Sequence, residues 1–157
     1  MKKKIVIVSG IVVPNPSPPG KITLQFAKML RPEFDVSIVC MRTNGPELNG
    51  ELIDGIQFYT VTGLRFRLEN YFLSRNKKTL VLFMKALGRL QRIIRLHGNL
   101  QWFYRKSYNK LVELYNENEF DFVFSICMPF QAHLAGYKFK LLNSSTKHIT
   151  FTVDLIS

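Results

Sequence analysis

The sequence has few of the residues that hold metals or form disulfides. Its 157 residues include two cysteines, Cys40 and Cys127, and three histidines, His97, His133 and His148. The cysteines form no CxxC pair, so no disulfide framework is expected, and buried free thiols in a reducing compartment are predicted. The histidines are too scattered to indicate a zinc site, and no metal is expected.

Long apolar runs are also absent from the sequence. No stretch approaches the roughly 20 apolar residues that a transmembrane helix needs. The three lysines Lys2, Lys3 and Lys4 precede only the short apolar run Ile5–Val8, which is typical of a buried strand and not of a signal peptide. With 46% hydrophobic residues and 13 phenylalanines, the chain can nevertheless form one sizeable globular core.

Acidic residues are scarce, and the shortage is local. The chain has 22 Lys and Arg against 11 Asp and Glu, a net charge of +11. Between Arg65 and Lys110 there are twelve basic residues and one acidic residue, Glu69, whereas the rest of the chain has ten of each sign. This distribution predicts a basic, amphipathic helical insertion at residues 65–110 within a neutral scaffold.

Within this insertion, apolar and basic residues are interleaved at helical spacing. The apolar positions are Leu80, Phe83, Met84, Leu87, Leu90 and Ile94. We expect the interleaved basic side chains, with the tryptophan that follows them, to bind an anionic membrane surface: Lys77, Lys78, Lys85, Arg89, Arg92, Arg95 and Trp102. A core helix whose solvated edge is basic is the alternative.

Strand-like and helical patterns alternate along the chain. Strands are predicted at residues 4–9, 35–40, 56–61, 121–126 and 147–153. The alternation is typical of an α/β fold in which helices cover both faces of a mainly parallel sheet of about five strands, a three-layer sandwich. Because the sequence ends soon after the fifth strand, we expect one domain, residues 1–157, of a larger or split protein.

The first predicted strand leads into a loop with unusual backbone properties. The loop runs from Gly10 through Pro19 to Gly20 and contains four prolines between the two glycines. In open α/β sheets, ligands bind beyond the carboxyl ends of the strands. The helix that follows the loop could hold phosphate or sugar oxygens with its free backbone N–H groups. A stiff loop that merely turns the chain is the alternative.

Polar side chains also follow the fourth and fifth strands. Pro129 and Phe130 lead into a helix, and His133 lies one turn further, where it could donate to a sugar hydroxyl or a phosphate. The alternative for His133 is a packing role on the helix face. Asp154, after the fifth strand, is suited to act as a general base or to accept from a hydroxyl, or else to cap a helix.

Together these features resemble the N-terminal domain of bacterial family 4 glycosyltransferases. The resemblance covers nearly the whole chain and is strongest in hydrophobic spacing and in a few Gly, Pro and Asp positions. Besides Gly20, it rests on the runs IVIVSG at 5–10, LQFAKML at 24–30, FDVSIV at 34–39, FDFVFS at 120–125, PFQAHLAG at 129–136 and TFTVD at 150–154.

The resemblance implies a Rossmann-like domain, the N-terminal half of a GT-B fold, which binds a lipid-linked or saccharide acceptor in surface-polysaccharide synthesis. Its implied acceptor-binding residues are Gly10, Pro19, Gly20, Pro129 and Phe130, and its implied catalytic residues are His133 and Asp154. The nucleotide-sugar donor would bind a C-terminal domain that this sequence does not include, so no cofactor is expected here. The implied location is cytoplasmic, peripheral at the inner face of the membrane.

Three other functions compete with this one. The chain could be a membrane-recruiting subunit of a split glycosyltransferase. A nucleic-acid-binding module is disfavoured because no RRM, KH, zinc-finger or helix-turn-helix pattern is present and the basic helix is too apolar for a phosphate clamp. The third is a non-catalytic flavodoxin-like or receiver-like module, but a receiver would need an acidic cluster after the first strand, where this chain has Ser9 and Gly10.

Overall fold

A computed structural model describes residues 2–42, 46–75, 100–126 and 129–152. The described strands are β1 (Lys3–Ile11), β2 (Phe34–Met41), β3 (Asn49–Ile53), β4 (Ile56–Val61), β5 (Phe122–Ile126) and β6 (Lys147–Phe151). The described helices are α1 (Pro18–Leu30), α2 (Leu64–Ser74), α3 (Gln101–Glu117) and α4 (Gln131–Leu142).

The strands form one sheet in the order β3-β4-β2-β1-β5-β6. β4, β2, β1, β5 and β6 run parallel to one another, which confirms the predicted α/β class and the mainly parallel sheet. Such a sheet with helices is compatible with a Rossmann-like fold.

The strand β3 was not predicted. It pairs antiparallel with β4 through the turn at Asp54 and Gly55, whose φ angles are 52° and 72°. A two-residue turn with positive φ at both central residues matches the twist of the two strands of a hairpin. Asp-Gly is one of the sequences preferred in such a turn. The sequence predicts a Gly/Pro/Asn-rich connection between the strands at 35–40 and 56–61, and β3 within it lacks an apolar run because it is mostly exposed.

Helices pack on both faces of the sheet, as the three-layer prediction requires. Ile5 and Ile7 of β1 belong to a core with Ala27 of α1, whereas Val6 and Val8 belong to a core with α3 and α4. Because successive side chains of a strand point to opposite faces, β1 is buried on both sides. No described helix is long and apolar enough to cross a membrane.

The predicted basic insertion is only partly described. Its two ends are α2 and the start of α3, and the predicted membrane-binding residues between them lie outside the described residues: Lys77, Lys78, Lys85, Arg89, Arg92 and Arg95. Trp102 of α3 is half-buried, and its indole packs against Gly63, with the Phe66 ring 6.5 Å away. Its membrane role stays a prediction.

Candidate functional site

The strand order reverses direction between β1 and β5. From β1 the chain builds β2 and β4 on one side and then crosses to β5 on the other side. The carboxyl ends of two such strands border a crevice, which is the usual ligand site of open α/β sheets. Val8 of β1 pairs with Ser125 of β5, so the loops predicted to bind the acceptor leave neighbouring strands.

On the β1 side, Gly10 lies at an irregularity in the strand. Ser9 pairs with Cys40 and Ile11 with Met41, so Gly10 is an extra residue, as at a β-bulge. Further along, Gly20 packs directly on the strand end, since a β-carbon at residue 20 would lie 2.1 Å from the Ile11 carbonyl oxygen. Gly20 is therefore needed for the contact between α1 and β1.

Helix α1 begins at Pro18, inside the stretch predicted as a loop, and its N-terminus is already capped. The Ser17 hydroxyl accepts from the Gly20 N–H at 3.3 Å and donates to the Ile11 carbonyl at 3.0 Å. Lys21 N–H donates to the Ser17 carbonyl, and Pro18 and Pro19 have no N–H. The free N–H groups expected to hold a phosphate are therefore bonded or lacking in the first turn of α1.

A buried pair of hydroxyls ties α1 to β1. Ser9 Oγ lies 2.6 Å from Thr23 Oγ1, and Thr23 donates its hydrogen to the Pro19 carbonyl at 2.9 Å. Since the Thr23 hydrogen is used, the Ser9 hydroxyl donates to Thr23. Both residues are fully buried, so this pair holds the first turn of α1 in place.

On the β5 side, one serine links two histidines. Ser125 Oγ lies 2.7 Å from Nδ1 of His133, in the first turn of α4, and 2.8 Å from Nε2 of His148 on β6. A hydroxyl has one hydrogen, so Ser125 donates to one imidazole and accepts from the other. We call these three residues the Ser-His-His cluster.

Within the described part of the chain, the second ring nitrogen of His133 has no hydrogen-bond partner. His133 is 9% exposed, and its Nε2 is buried without a hydrogen bond from any described residue. If Nδ1 accepts from Ser125, Nε2 carries the hydrogen and is a donor; in the opposite arrangement, Nε2 is an acceptor. A hydroxyl-bearing ligand can satisfy either arrangement, because a hydroxyl both donates and accepts.

Both imidazoles of the cluster are held neutral. Burial lowers the pKa of His133, and burial together with the nearby His133 lowers the pKa of His148. Desolvation disfavours the charged form, and two imidazolium groups sharing one serine would also repel. The cluster therefore contains a buried, neutral hydrogen-bonding nitrogen at neutral pH.

The remaining predicted residues lie beside the cluster or outside the described chain. Phe130 is 62% exposed, and its ring meets the His133 imidazole edge to face at 6.1 Å; Pro129 is half-buried. Asp154 lies outside the described residues. Ser125 and His148 were not among the predicted site residues, although a polar residue within the otherwise apolar strand β5 is a visible signal.

A second polar cleft, of about 410 Å³, lies near the carboxyl end of β4. There Arg67 donates to both carboxylate oxygens of Glu47, at 2.8 and 2.9 Å, and Lys106 donates to the Thr62 carbonyl at 2.6 Å. Burial and the nearby Arg67 lower the pKa of Lys106, and Glu47 opposes them. Because its charges are largely paired, this cleft is a weaker candidate than the Ser-His-His cluster.

Two further cavities lie at the opposite edge of the sheet, where β1 begins. They have volumes of about 370 and 700 Å³, and Lys4 lines both. Ligands of open α/β sheets bind at the carboxyl ends of strands, so these cavities are not candidate sites.

Comparison of the sequence with protein-family models and with curated proteins finds no match. The fold defines the chain as an α/β protein with a six-stranded, mostly parallel sheet in its described part. The likeness to glycosyltransferases therefore rests on the sequence runs given above and stays a prediction.

Proposed function

We propose that this chain is the acceptor-binding domain of a bacterial GT-B glycosyltransferase and that it binds a lipid-linked or free saccharide beside the Ser-His-His cluster. The observation that carries the proposal is the unpartnered Nε2 of His133. A buried polar atom without a partner costs about 1–3 kcal/mol, so such atoms are rare unless a ligand or water completes them.

Two properties of the surroundings favour a saccharide. The neutral His133 can bond a hydroxyl in either tautomer, and it carries no charge that would select for an anion. Phe130 adds an exposed aromatic face in ring contact with His133. Apolar and aromatic surface with a few placed polar groups is the usual composition of a small-molecule site.

The donor side of the reaction lies outside this proposal. By the resemblance, a nucleotide sugar binds a separate C-terminal domain, so the chain alone is expected to bind acceptor without transferring sugar. Asp154 is proposed as a catalytic carboxylate on sequence grounds. In an enzyme reconstituted with its donor-binding half, Asp154→Asn and His133→Ala are expected to lower turnover, and unchanged turnover in both would refute their assignment.

The experiment that tests acceptor binding compares two substitutions of one residue. His133→Asn keeps a polar atom near the position of Nδ1, which bonds Ser125, but removes the atom equivalent to Nε2. His133→Gln places an amide near Nε2. Saccharides and a short-chain lipid-diphosphate saccharide would be titrated into labelled protein and followed by NMR. Binding should be lost in the Asn variant and partly kept in the Gln variant.

The control is Met29→Ala, which shortens an exposed side chain of α1. It should bind like the unmodified protein. Equal binding by the His133→Asn variant, or no shift with any saccharide, would contradict the proposal.

We also propose that the domain works at the inner face of the cell membrane. The support is the run of basic and apolar residues between Arg65 and Lys110, whose excess positive charge fits an anionic lipid surface.

A further inference from the structure

The outward side of α4 is apolar. Phe130, Leu134, Tyr137 and Leu141 recur at three- and four-residue steps and are 62%, 39%, 57% and 63% exposed. At that spacing, side chains of a helix lie in one line along the same face. We call these four residues the α4 stripe.

Packing in the hydrophobic core does not explain why the residues of the α4 stripe are apolar. The inward side of α4 is formed by other residues, among them Ala132, Ala135 and Phe139, which are fully buried. A surface helix normally turns polar residues to the solvent, and contiguous exposed apolar residues mark an interaction surface. The α4 stripe is therefore a second apolar face on a helix that already has one packed in the core.

The chain segment that contains the α4 stripe carries charges of one sign. The sequence from Phe122 to Val153 contains no Asp or Glu and three lysines, Lys138, Lys140 and Lys147. Lys138 lies over the Tyr108 ring of α3, with its nitrogen 4.9 Å from the ring centroid. The flank of the stripe towards α3 is therefore also basic and aromatic.

We propose that the α4 stripe docks onto an anionic lipid surface. Leucine and aromatic side chains enter the boundary between headgroups and acyl chains, while flanking lysines extend their charged ends to lipid phosphates. A second copy of this chain would bring the same lysines against each other, and like charges oppose that contact. An anionic bilayer supplies both the apolar layer and the opposite charge.

Docking in this way would bring the candidate site to the membrane. Phe130 begins the α4 stripe and contacts His133, so a docked α4 would hold the Ser-His-His cluster close to the headgroups. The inference does not depend on acceptor binding, because lipid binding is measured without a saccharide. It does rest on the proposed location at the membrane: stripe variants that bind vesicles like their controls would overturn the docking surface alone, whereas no vesicle binding by the unmodified protein would overturn both.

Vesicle binding by matched substitutions tests the inference. Leu141→Glu and Tyr137→Glu introduce a charge into the α4 stripe and should weaken binding to phosphatidylcholine vesicles containing phosphatidylglycerol by about tenfold or more. Met29→Glu and Leu52→Glu make the same kind of change at residues that are 74% and 69% exposed on α1 and β3. These controls match the net charge, so they should bind more strongly than the stripe variants.

A second measurement reports which surface meets the lipid. Tryptophan placed by Leu141→Trp should be quenched by brominated lipids, after subtraction of the Trp102 signal, whereas tryptophan placed by Met29→Trp should not. Equal losses in stripe and control variants, no vesicle binding by the unmodified protein, or equal quenching at both positions would overturn the inference. So would a dimer in solution that Leu141→Glu dissociates, because a second copy would then cover the stripe.

Discussion

A β-carbon at Gly136 would lie 2.5 Å from Nε2 of His148. Glycine inside a helix is less favourable than alanine by about 1 kcal/mol, yet α4 has one at the position that faces the imidazole. The space left by Gly136 lets His148 approach Ser125, which bonds it at 2.8 Å. The geometry of the Ser-His-His cluster therefore depends on a residue that takes no part in its hydrogen bonds.

The substitution Gly136→Ala tests this dependence. It should destabilise the protein by about 1–3 kcal/mol, because the methyl group displaces His148. In a His148→Ala background the same substitution should be neutral or stabilising, since the clash is gone and alanine favours the helix. Urea unfolding of the unmodified protein, the two single variants and the double variant measures the coupling between the two substitutions. Additive changes in the free energy of unfolding would contradict the proposed contact.

Stability should fall as the pH drops below about 6.5, because the pKa values of His133 and His148 are lowered from 6.5 in the folded protein. Between the folded and unfolded pKa values, the unfolded chain binds more protons, so acid favours unfolding. Above about pH 6.5 both imidazoles are neutral in the folded and the unfolded protein alike, so their contribution to the free energy of unfolding no longer depends on pH.

Urea unfolding between about pH 5 and 8 measures this dependence, above the range in which most carboxylates titrate. A variant with both His133→Asn and His148→Asn is the control. Its stability should be lower but nearly independent of pH in this range. An equal slope in both proteins would assign the dependence to other groups.

Gly20→Ala should be among the most damaging single substitutions in the chain. Its β-carbon would lie 2.1 Å from the Ile11 carbonyl oxygen, a backbone atom that cannot move without shifting the end of β1. We expect a loss of about 3 kcal/mol or a failure to fold. Lys21→Ala, at the exposed neighbouring residue, is the matched control and should change the melting temperature little. Similar melting of both variants would disprove the close contact.

The basic residues outside the described chain give a separate prediction for membrane binding. Replacing Lys77, Lys78, Lys85, Arg89, Arg92 and Arg95 with glutamine should weaken binding to anionic vesicles and reduce its dependence on salt, since each charge contributes about 1 kcal/mol near such a surface. Replacing six other basic residues, Lys2, Lys3, Lys4, Lys21, Lys28 and Arg31, gives a protein of equal net charge for comparison. Equal loss in both would indicate that only net charge matters.

Part of the fold could be predicted because it is encoded locally. The apolar run Ile5–Val8 identifies a strand buried on both faces, and the helical spacing after Gly20 identifies α1. The hairpin of β3 was missed even though Asp54-Gly55 is a recognisable turn signal, because the flanking strand is exposed and shows no apolar pattern. Predictions from periodicity fail where a strand is held by its neighbour rather than by the core.

The candidate site could be predicted only in part. His133 was found from its place after a strand end, but its partners Ser125 and His148 come from different strands and meet through the register of β5 and β6. The expected anion-binding groups of α1 were misjudged because the Ser17 cap satisfies them, a contact that requires the helix to begin at Pro18.

The sequence by itself determined the α/β class, the parallel strands and the concentration of positive charge, because periodicity and composition are local properties of the chain. Only the tertiary structure decided that Ser125 links His133 to His148, that Gly136 makes room for that link and that α4 turns a second apolar face outwards. These features depend on which strands and helices become neighbours, and that is settled by packing over long separations along the chain.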